Sequence, residues 1–548
     1  MTGAAQRRRS LLFGVGLFIR LARRGVYSCP PPLYRVGMMR SNAERPVRSI
    51  AIIGGGTAGW MSAAAISKAF GRNIDVVLVE SEEIGTIGVG EATVPHLSAF
   101  NRLLEIDEAE FVRQVQGTFK LGIQFNDWGR IGDSYIHGFG TIGRDLGLMP
   151  FHQYWLKARA TGQAKDIGHY SLNTIAAPLG KFMVSASDAP PNSPLAEIAY
   201  AYHFDAVLYA RFLRKRAEAQ GARRIEGKVV AVAQNGETGF VESVELESGQ
   251  VINADLFLDC TGFRALLIGG TLGVGFDDWT HWLPVDRALV APCEKVGPPT
   301  PYTRSTAHGS GWQFRIPLQH RTGNGHIYSS QFISDDEAAN VLLKNLDGAA
   351  LADPKLLRFT TGKRRKLWDR NVIALGLAGG FLEPLESTAI YLIQAGINRL
   401  MNLFPNANCD PALQDTYNRQ SDFEYERIRD FLVLHYHATQ RDDSEFWNYV
   451  RTMSIPDALT SYLELFRSNG QFFRNGEELF GLTSWVQVML GQGIYPRAYH
   501  PAVDWVADQD MLALISHVEK VLESNVQLMP QHEDFIRRCC ATPDLVGA

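Results

Sequence analysis

Residues 381–392 read FLEPLESTAIYL. Two glutamates, Glu383 and Glu386, sit in an otherwise apolar run, with Pro384 between them and Ser387-Thr388 directly after. An ionised carboxylate in such surroundings is costly unless something compensates it. Two readings follow. The structural one is that acids at a helix start cap backbone N–H groups and complement the helix dipole. The chemical one is that a carboxylate held in an apolar pocket stabilises nearby positive charge or takes a proton. A second candidate is Lys120, in the mostly apolar, strand-like QGTFKLGIQF. Removed from water, a lysine has a lowered pKa and a reactive amine; the plain alternative is a lysine that reaches out to solvent. A third is His137 with Phe139 in YIHGFG, two apart and so on one side of an extended segment; core packing is the plain alternative there.

The elements that must carry these side chains are partly legible. Pro384 sets the backbone ahead of Glu386, and LESTAIYLIQAGINRL reads as a helix start, so Glu386, Ser387 and Thr388 fall near a helix N-terminus, where backbone N–H groups can hold an anion. At the other end of the chain, Ser49 to Ile53 is a short apolar run suited to a buried parallel strand. Gly54-Gly55-Gly56-Thr57-Ala58-Gly59 then fits G-x-G-x-x-G and runs into an Ala-rich helical stretch to about Phe70. Gly54 permits the tight turn, Gly56 lets backbone approach a pyrophosphate, and Gly59 lets helix and strand pack closely. IDVVLVES supplies a second strand and Glu80, placed to accept hydrogen bonds from a ribose. ADLFLDCTGFR and VIALGLAGGFLEPLE each bring a further strand and glycines back toward the same region. Three approaches spread so widely along the chain favour FAD held along its length over a compact nicotinamide unit. The expected fold is α/β: an FAD-binding Rossmann-like domain of the glutathione-reductase type, as in flavin monooxygenases. From about Pro411 onward, FEYERIRDFLVLHYHATQ and PDALTSYLELFRSN show apolar residues at helical spacing.

Bulk properties exclude several classes. The chain has 548 residues, 45% hydrophobic and 20% charged, with a formal net charge of −4. That is ordinary for a globular protein of two or three lobes, and it shows no basic footprint for nucleic acid. The six cysteines form no CxxC pair and no zinc-spaced cluster, so no metal site is expected; the reading is a reducing, cytoplasmic compartment. Residues 1–47 carry arginines around a short apolar stretch, too short to span a bilayer. They read as a poorly ordered extension, with a start at Met38 or Met39 or a targeting segment as alternatives. No later run is long enough for a transmembrane helix.

Eight blocks in order, GGGTAGW, IGVGEATVP, GTFKLGIQFNDW, YIHGFG, YWLKARATG, GWQFRIP, FLEPLEST and RDDSEFW, resemble the flavin-dependent tryptophan halogenases from about Ser49 to about Pro496. The resemblance implies that reduced FAD reacts with O2 to a C4a-hydroperoxide, that halide (chloride or bromide) attacks it to give hypohalous acid, and that this oxidant passes through an internal tunnel to a separate pocket. There Lys120 and Glu386 match the family's lysine and glutamate. Lys120 either hydrogen-bonds hypohalous acid or is N-halogenated by it; Glu386 stabilises a cationic ring intermediate and takes its proton, and Ser387 orders the oxidant between the two sites. The resemblance further implies halide at the N–H groups of Thr388 and Ala389, the latter replacing the usual glycine. It implies FAD contacts at the glycine loop, Glu80, Ser81, Ile87, Val89, Ala92, Leu377 and Ile390. His137, Phe139 and, by a looser match, Phe480 would flank an aromatic substrate. GWQFRIP matches the signature W-x-W-x-I-P that keeps substrate from the flavin, with Phe314 in place of its second tryptophan and Trp312, Ile316 and Pro317 retained.

The family's Tyr-Tyr pair and glutamate that grip free tryptophan have no counterpart in LFRSNGQFFRNGEELF, where Glu477 and Glu478 are shifted. An indole, or indole within a larger molecule, is the expected substrate. No second nucleotide motif is present, so a separate NAD(P)H-dependent flavin reductase is the expected partner; a homodimer is compatible with this size. The expected organisation is an extension over 1–47, an FAD-binding halogenase core over 48–408 and a helical lobe over 409–548 that roofs the substrate pocket. Two rival functions share the scaffold: a flavin monooxygenase or other oxidoreductase, which has no need of Lys120 and Glu386 together, and a flavin-binding protein without chemistry.

Overall fold

The structure is a computed structural model that describes residues 45–84, 90–190 and 192–542. Ile87, Val89 and residues 1–44 of the expected extension lie outside the described residues. Ser49–Ile53 becomes a strand with every position after Ser49 buried, because neighbouring strands flank it and helices cover the sheet. It pairs in parallel with Asp75–Glu80 on one side and Leu256–Asp259 on the other. The sheet has six strands, in the order Trp368–Asp369, Val372–Ala374, Leu256–Asp259, Ser49–Ile53, Asp75–Glu80, Arg223–Glu226; only the outer Trp368–Asp369 strand runs antiparallel to its neighbour. Helix α1 (Thr57–Phe70) follows the glycine loop. Gly54 has φ 112°, and a Cβ there would lie 2.2 Å from the Cys260 carbonyl oxygen; one on Gly59 would lie 1.9 Å from that of Gly54. These two glycines are required by close backbone approach between the loop, the helix and the Leu256–Asp259 strand.

A second sheet of seven strands runs Lys355–Arg358, Arg287–Glu294, Arg321–Tyr328, Gly311–Pro317, Thr303–His308, Gly122–Asn126, Ser134–Gly138. Its Gly311–Pro317 strand is GWQFRIP, buried at all seven positions. Its edge strand ends in His137 and Gly138. A small antiparallel sheet joins Gly90–Ala92, Ala201–Asp205 and Thr118–Lys120, and so anchors Lys120.

Three helices complete the frame of the site. α2 (Ala389–Asn402) continues from FLEPLEST. α3 (Pro411–His437) opens on a cap, with the Asp410 carboxylate accepting from the Ala412 N–H and Pro411 at the first position. α4 (Leu482–Gly491) packs on the Ser134–Gly138 edge strand, where Gln487 exchanges hydrogen bonds with both backbone groups of Gly138 at 3.0 Å. The last turns of α3, Ile428 to Tyr436, are buried on all sides, since they run between the second sheet and the later helices. Among the described residues the five cysteines are free, no His/Cys/Asp/Glu cluster has metal-binding geometry, and no helix is long and apolar enough to cross a membrane.

Candidate active site

The FLEPLEST segment folds as one tight turn. Pro384–Glu386 is a single 3₁₀ turn, Ser387 adopts φ 59°, Thr388 is the N-cap residue, and α2 starts at Ala389. A serine in the left-handed region costs about 1–3 kcal/mol unless its surroundings hold it there. The Ser387 N–H donates to the Pro384 carbonyl oxygen at 3.0 Å, and its Oγ accepts from Lys120 Nζ at 2.8 Å, which also donates to the Thr93 carbonyl oxygen at 3.0 Å. Thr93 is itself tied back, its Oγ1 donating to the Tyr202 carbonyl oxygen at 3.0 Å. Lys120 is fully buried, with its Nζ 5.3 Å from the centre of the Phe139 ring. Burial pushes its pKa down to about 7, against a smaller upward pull from Glu386.

Glu386, 1% exposed, lies between two imidazoles. His137 Nδ1 is 3.0 and 2.9 Å from its two carboxylate oxygens, and His435 Nε2 is 2.8 Å from Oε1. The His435 contact is close but off the axis of the ring N–H. Burial by itself would raise the Glu386 carboxyl; His137 and then His435 outweigh it and hold it below the ordinary carboxylate range. Lys120, His137 and the adjacent pair Glu386-Ser387, drawn from three places in the sequence, therefore meet at one point.

Glu383 is not a helix cap. Its side chain makes no capping hydrogen bond; it is fully buried and turns toward Tyr436 and Trp312. Oε2 accepts from the Tyr436 hydroxyl at 2.9 Å and lies 3.5 Å from Trp312 Nε1. Burial raises its pKa to about 8, with the two donors pulling the other way. The capping reading fails because the chain reverses at Pro384, which aims Glu383 and Glu386 at different neighbours. Sequence reasoning missed His435 and Tyr436 as well: both sit in a helical apolar pattern whose plain meaning is core.

The GWQFRIP strand is packed on all its side chains. Trp312 is fully buried and its ring centre lies 6.1 Å from that of Phe314. Phe314 crosses directly over Gly325, where a Cβ would come within 2.3 Å of its ring. Ile316 is buried, and the Pro317 carbonyl accepts from Thr118 Oγ1 at 2.7 Å, which ties this strand to the one that carries Lys120. Phe480 stacks on Phe431 of α3, centres 4.0 Å apart, and lies 6.2 Å from the His137 ring.

A Cβ on Gly56 would meet nothing within 4 Å, so that backbone is open to an approaching phosphate, with Thr57 and Ala58 half-buried behind it at the helix start. The one-turn Gly376–Ala378 segment, with Leu377 half-buried, abuts α1: a Cβ on Gly376 would lie 2.9 Å from that of Ala58. Ala92 and Ile390 are buried and Ser81 is half-buried. Glu80 ends its strand beside Gly55 and is engaged by the Arg224 guanidinium and by Trp60 Nε1, which donates to it at 3.3 Å. At the start of α2, Thr388 is buried and its Oγ1 has no hydrogen-bond partner among the described residues; the N–H groups at a helix start have no partner within the helix.

The tryptophan halogenase family profile matches residues 49–508. A curated relative, tryptophan 6-halogenase SttH of Streptomyces toxytricini, is 34% identical over 490 residues, spanning 84% of this chain and 92% of the relative. Among solved structures, Xcc4156, a flavin-dependent halogenase from Xanthomonas campestris, superposes with TM-score 0.88 at 50% identity over 91% of this chain and 99% of that one. BrvH, a flavin-dependent halogenase from Brevundimonas sp. BAL3, superposes with TM-score 0.87 at 41% identity over 90% and 99%.

Proposed function

This chain belongs to the tryptophan halogenase family and is an enzyme of the flavin-dependent halogenase class, and we propose that it halogenates an indole-type aromatic carbon, with hypohalous acid travelling inside the protein to Lys120 and Glu386. The observation that carries this reading is the meeting of a buried, uncharged-leaning amine and a buried carboxylate around Ser387.

FAD, delivered reduced by a separate NAD(P)H-dependent flavin reductase, would lie on Gly54 to Gly59, Glu80, Ser81, Ala92, Leu377 and Ile390. Bound there with O2 and chloride or bromide, it supplies the oxidised halogen. The N–H groups of Thr388 and Ala389 hold the halide at the positive end of α2. The Ala389 methyl narrows that site relative to glycine. Trp312, Phe314, Ile316 and Pro317 wall off the aromatic substrate, so the oxidant and not the ring must move. Lys120 Nζ, fixed by Thr93 and Ser387, takes the hypohalous acid and presents its halogen. His137, Phe139 and Phe480 orient the ring, and aromatic contacts of this kind are worth about 0.5–1.5 kcal/mol per pair beyond area burial. Glu386 Oε stabilises the ring cation and accepts its proton. The helices after residue 408 roof this pocket.

Free tryptophan is disfavoured. Glu478, a carboxylate in the segment where a clamp is expected, is turned inward, accepting from the Tyr462 hydroxyl at 2.7 Å and the Asn475 N–H at 2.8 Å. Glu477 is exposed. Incubation with tryptophan and with indole, in the presence of reductase and halide, tests this: indole is converted well and tryptophan poorly. Comparable turnover of tryptophan contradicts it.

A further inference from the structure

A second cavity, of about 430 Å³, lies at the ends of α3 and α4. That volume is within the range of small-molecule sites. None of its lining residues belongs to the site around Lys120 and Glu386, and none is an aspartate or glutamate. Three are arginines: Arg451, Arg467 and Arg497. Arg451 and Arg467 come from the last turns of the Glu445–Thr452 and Asp457–Asn469 helices. Compensation of the helix dipole accounts for each of these two singly. It does not account for Arg497, which lies in the loop after α4.

The cavity has fixed walls. The Arg497 N–H donates to the Arg467 carbonyl oxygen at 2.9 Å, which brings these two residues together. Gly493 has φ 81°, and a Cβ there would lie 2.5 Å from Gln440 Nε2; the other end of that amide accepts from Arg130 Nε at 2.8 Å. The guanidinium charges are unbalanced. Arg451 donates to the neutral Asn448 Oδ1 at 2.7 and 3.3 Å. The side chains of Arg467 and Arg497 have no hydrogen-bond or ion-pair partner among the described residues. Arg441, close by in sequence, shows the contrast: Asp443 closes its fork at 2.8 and 2.7 Å. His437, on the cavity wall, has its pKa lowered by burial and then by the Arg467 charge. A cleft lined by one sign of charge concentrates counter-ions.

We propose that this cavity binds a phosphorylated small molecule, its phosphate held by Arg451, Arg467 and Arg497. The planar guanidinium fork matches phosphate oxygens bidentately. A phosphate monoester carries about −1.5 to −2 charges and three acceptor oxygens, so it engages more than one arginine, whereas a single carboxylate is satisfied by one. The halogenase reading is not needed for this assignment.

The test uses protein saturated with oxidised FAD, so that the glycine loop does not compete for the probe. In calorimetric titration at pH 8, in a buffer free of other oxyanions, AMP binds saturably at one site, inorganic phosphate competes with it, and adenosine does not bind. Arg467→Ala combined with Arg497→Ala weakens AMP binding about tenfold or more. Both side chains are exposed, so the melting temperature without AMP stays unchanged; if the double variant does not fold, Arg497→Glu replaces it and gives the same loss. Absence of saturable AMP binding, equal binding of adenosine, or undiminished affinity in the folded variant overturns the proposal. Citrate binding more tightly than AMP overturns the choice of phosphate.

Discussion

Lys120 Nζ donates to Ser387 Oγ across 2.8 Å although 267 positions separate the two residues in sequence. That bond joins the small sheet that carries the amine to the turn that carries Glu386, at a serine whose backbone is left-handed. The contact fixes the position of the amine, and its burial lowers its pKa.

Replacing Lys120 with methionine separates chemistry from fold. Halogenation falls by about 10²-fold or more, the range for loss of a positioned acid–base group, while FAD still binds and the protein remains yellow. The lysine's depressed pKa also means that its burial costs stability. The unfolded chain holds the Lys120 proton up to the ordinary lysine range and the folded chain releases it near pH 7. Stability from this group is therefore present only above the unfolded value and is lost as pH falls through about 7. K120M should melt higher than the wild type at pH 7, measured by thermal unfolding, and less so at pH 10.

The pH dependence of turnover follows from the same group. A neutral amine predominates above about pH 7, so product formation with indole drops as pH falls through that value, about tenfold per unit below it. Single-turnover assays with pre-reduced flavin measure this without interference from the reductase. A flat profile between pH 6 and 8 contradicts a neutral-amine role.

Glu383 gives the opposite sign. Its pKa is raised to about 8 in the folded protein, so the stability linked to its proton is fully present below the unfolded value of about 4.3 and is lost as pH rises through about 8. Glu383→Gln keeps the hydrogen bonds of Tyr436 and Trp312 to a neutral acceptor. The melting-temperature advantage of E383Q over the wild type should grow from pH 5 to pH 8, read by thermal unfolding across that range.

Much of the frame was legible in the sequence, and the limits have physical reasons. The Ser49–Ile53 strand, the glycine loop and α1 are local events set by apolar runs and backbone sterics, and they appear where the pattern placed them. GWQFRIP is likewise a buried strand. Lys120 stood out through its apolar context, yet its partners Thr93 and Ser387 come from distant segments that no local period reveals. Glu383 was open to misreading because capping is the commoner use of an acid at that spacing, and only the reversal at Pro384 turns it to Trp312 and Tyr436. His435 gave no signal beyond its place four residues after Phe431 in a helix whose end is buried all round.

The glycine loop offers a contrast between two alanine substitutions. Gly56→Ala adds a methyl into open space, so folding is unaffected and the melting temperature without flavin is unchanged. On the proposed FAD site the same methyl would occupy the approach to the cofactor diphosphate, so FAD affinity should fall about tenfold or more, read by fluorescence titration. Gly54→Ala forces a side chain against the Cys260 carbonyl at a positive φ and destabilises the apo protein by more than about 1 kcal/mol.

The central claim, that oxidant reaches an aromatic ring through Lys120 and Glu386, is tested most directly by mass spectrometry of an indole panel incubated with reductase and either chloride or bromide, for the wild type and K120M. The wild type should yield a product whose isotope doublet matches the halide supplied, and K120M none while FAD stays bound. Hydroxylated product formed by the wild type without halide, or halogenated product at wild-type levels from K120M, contradicts the account.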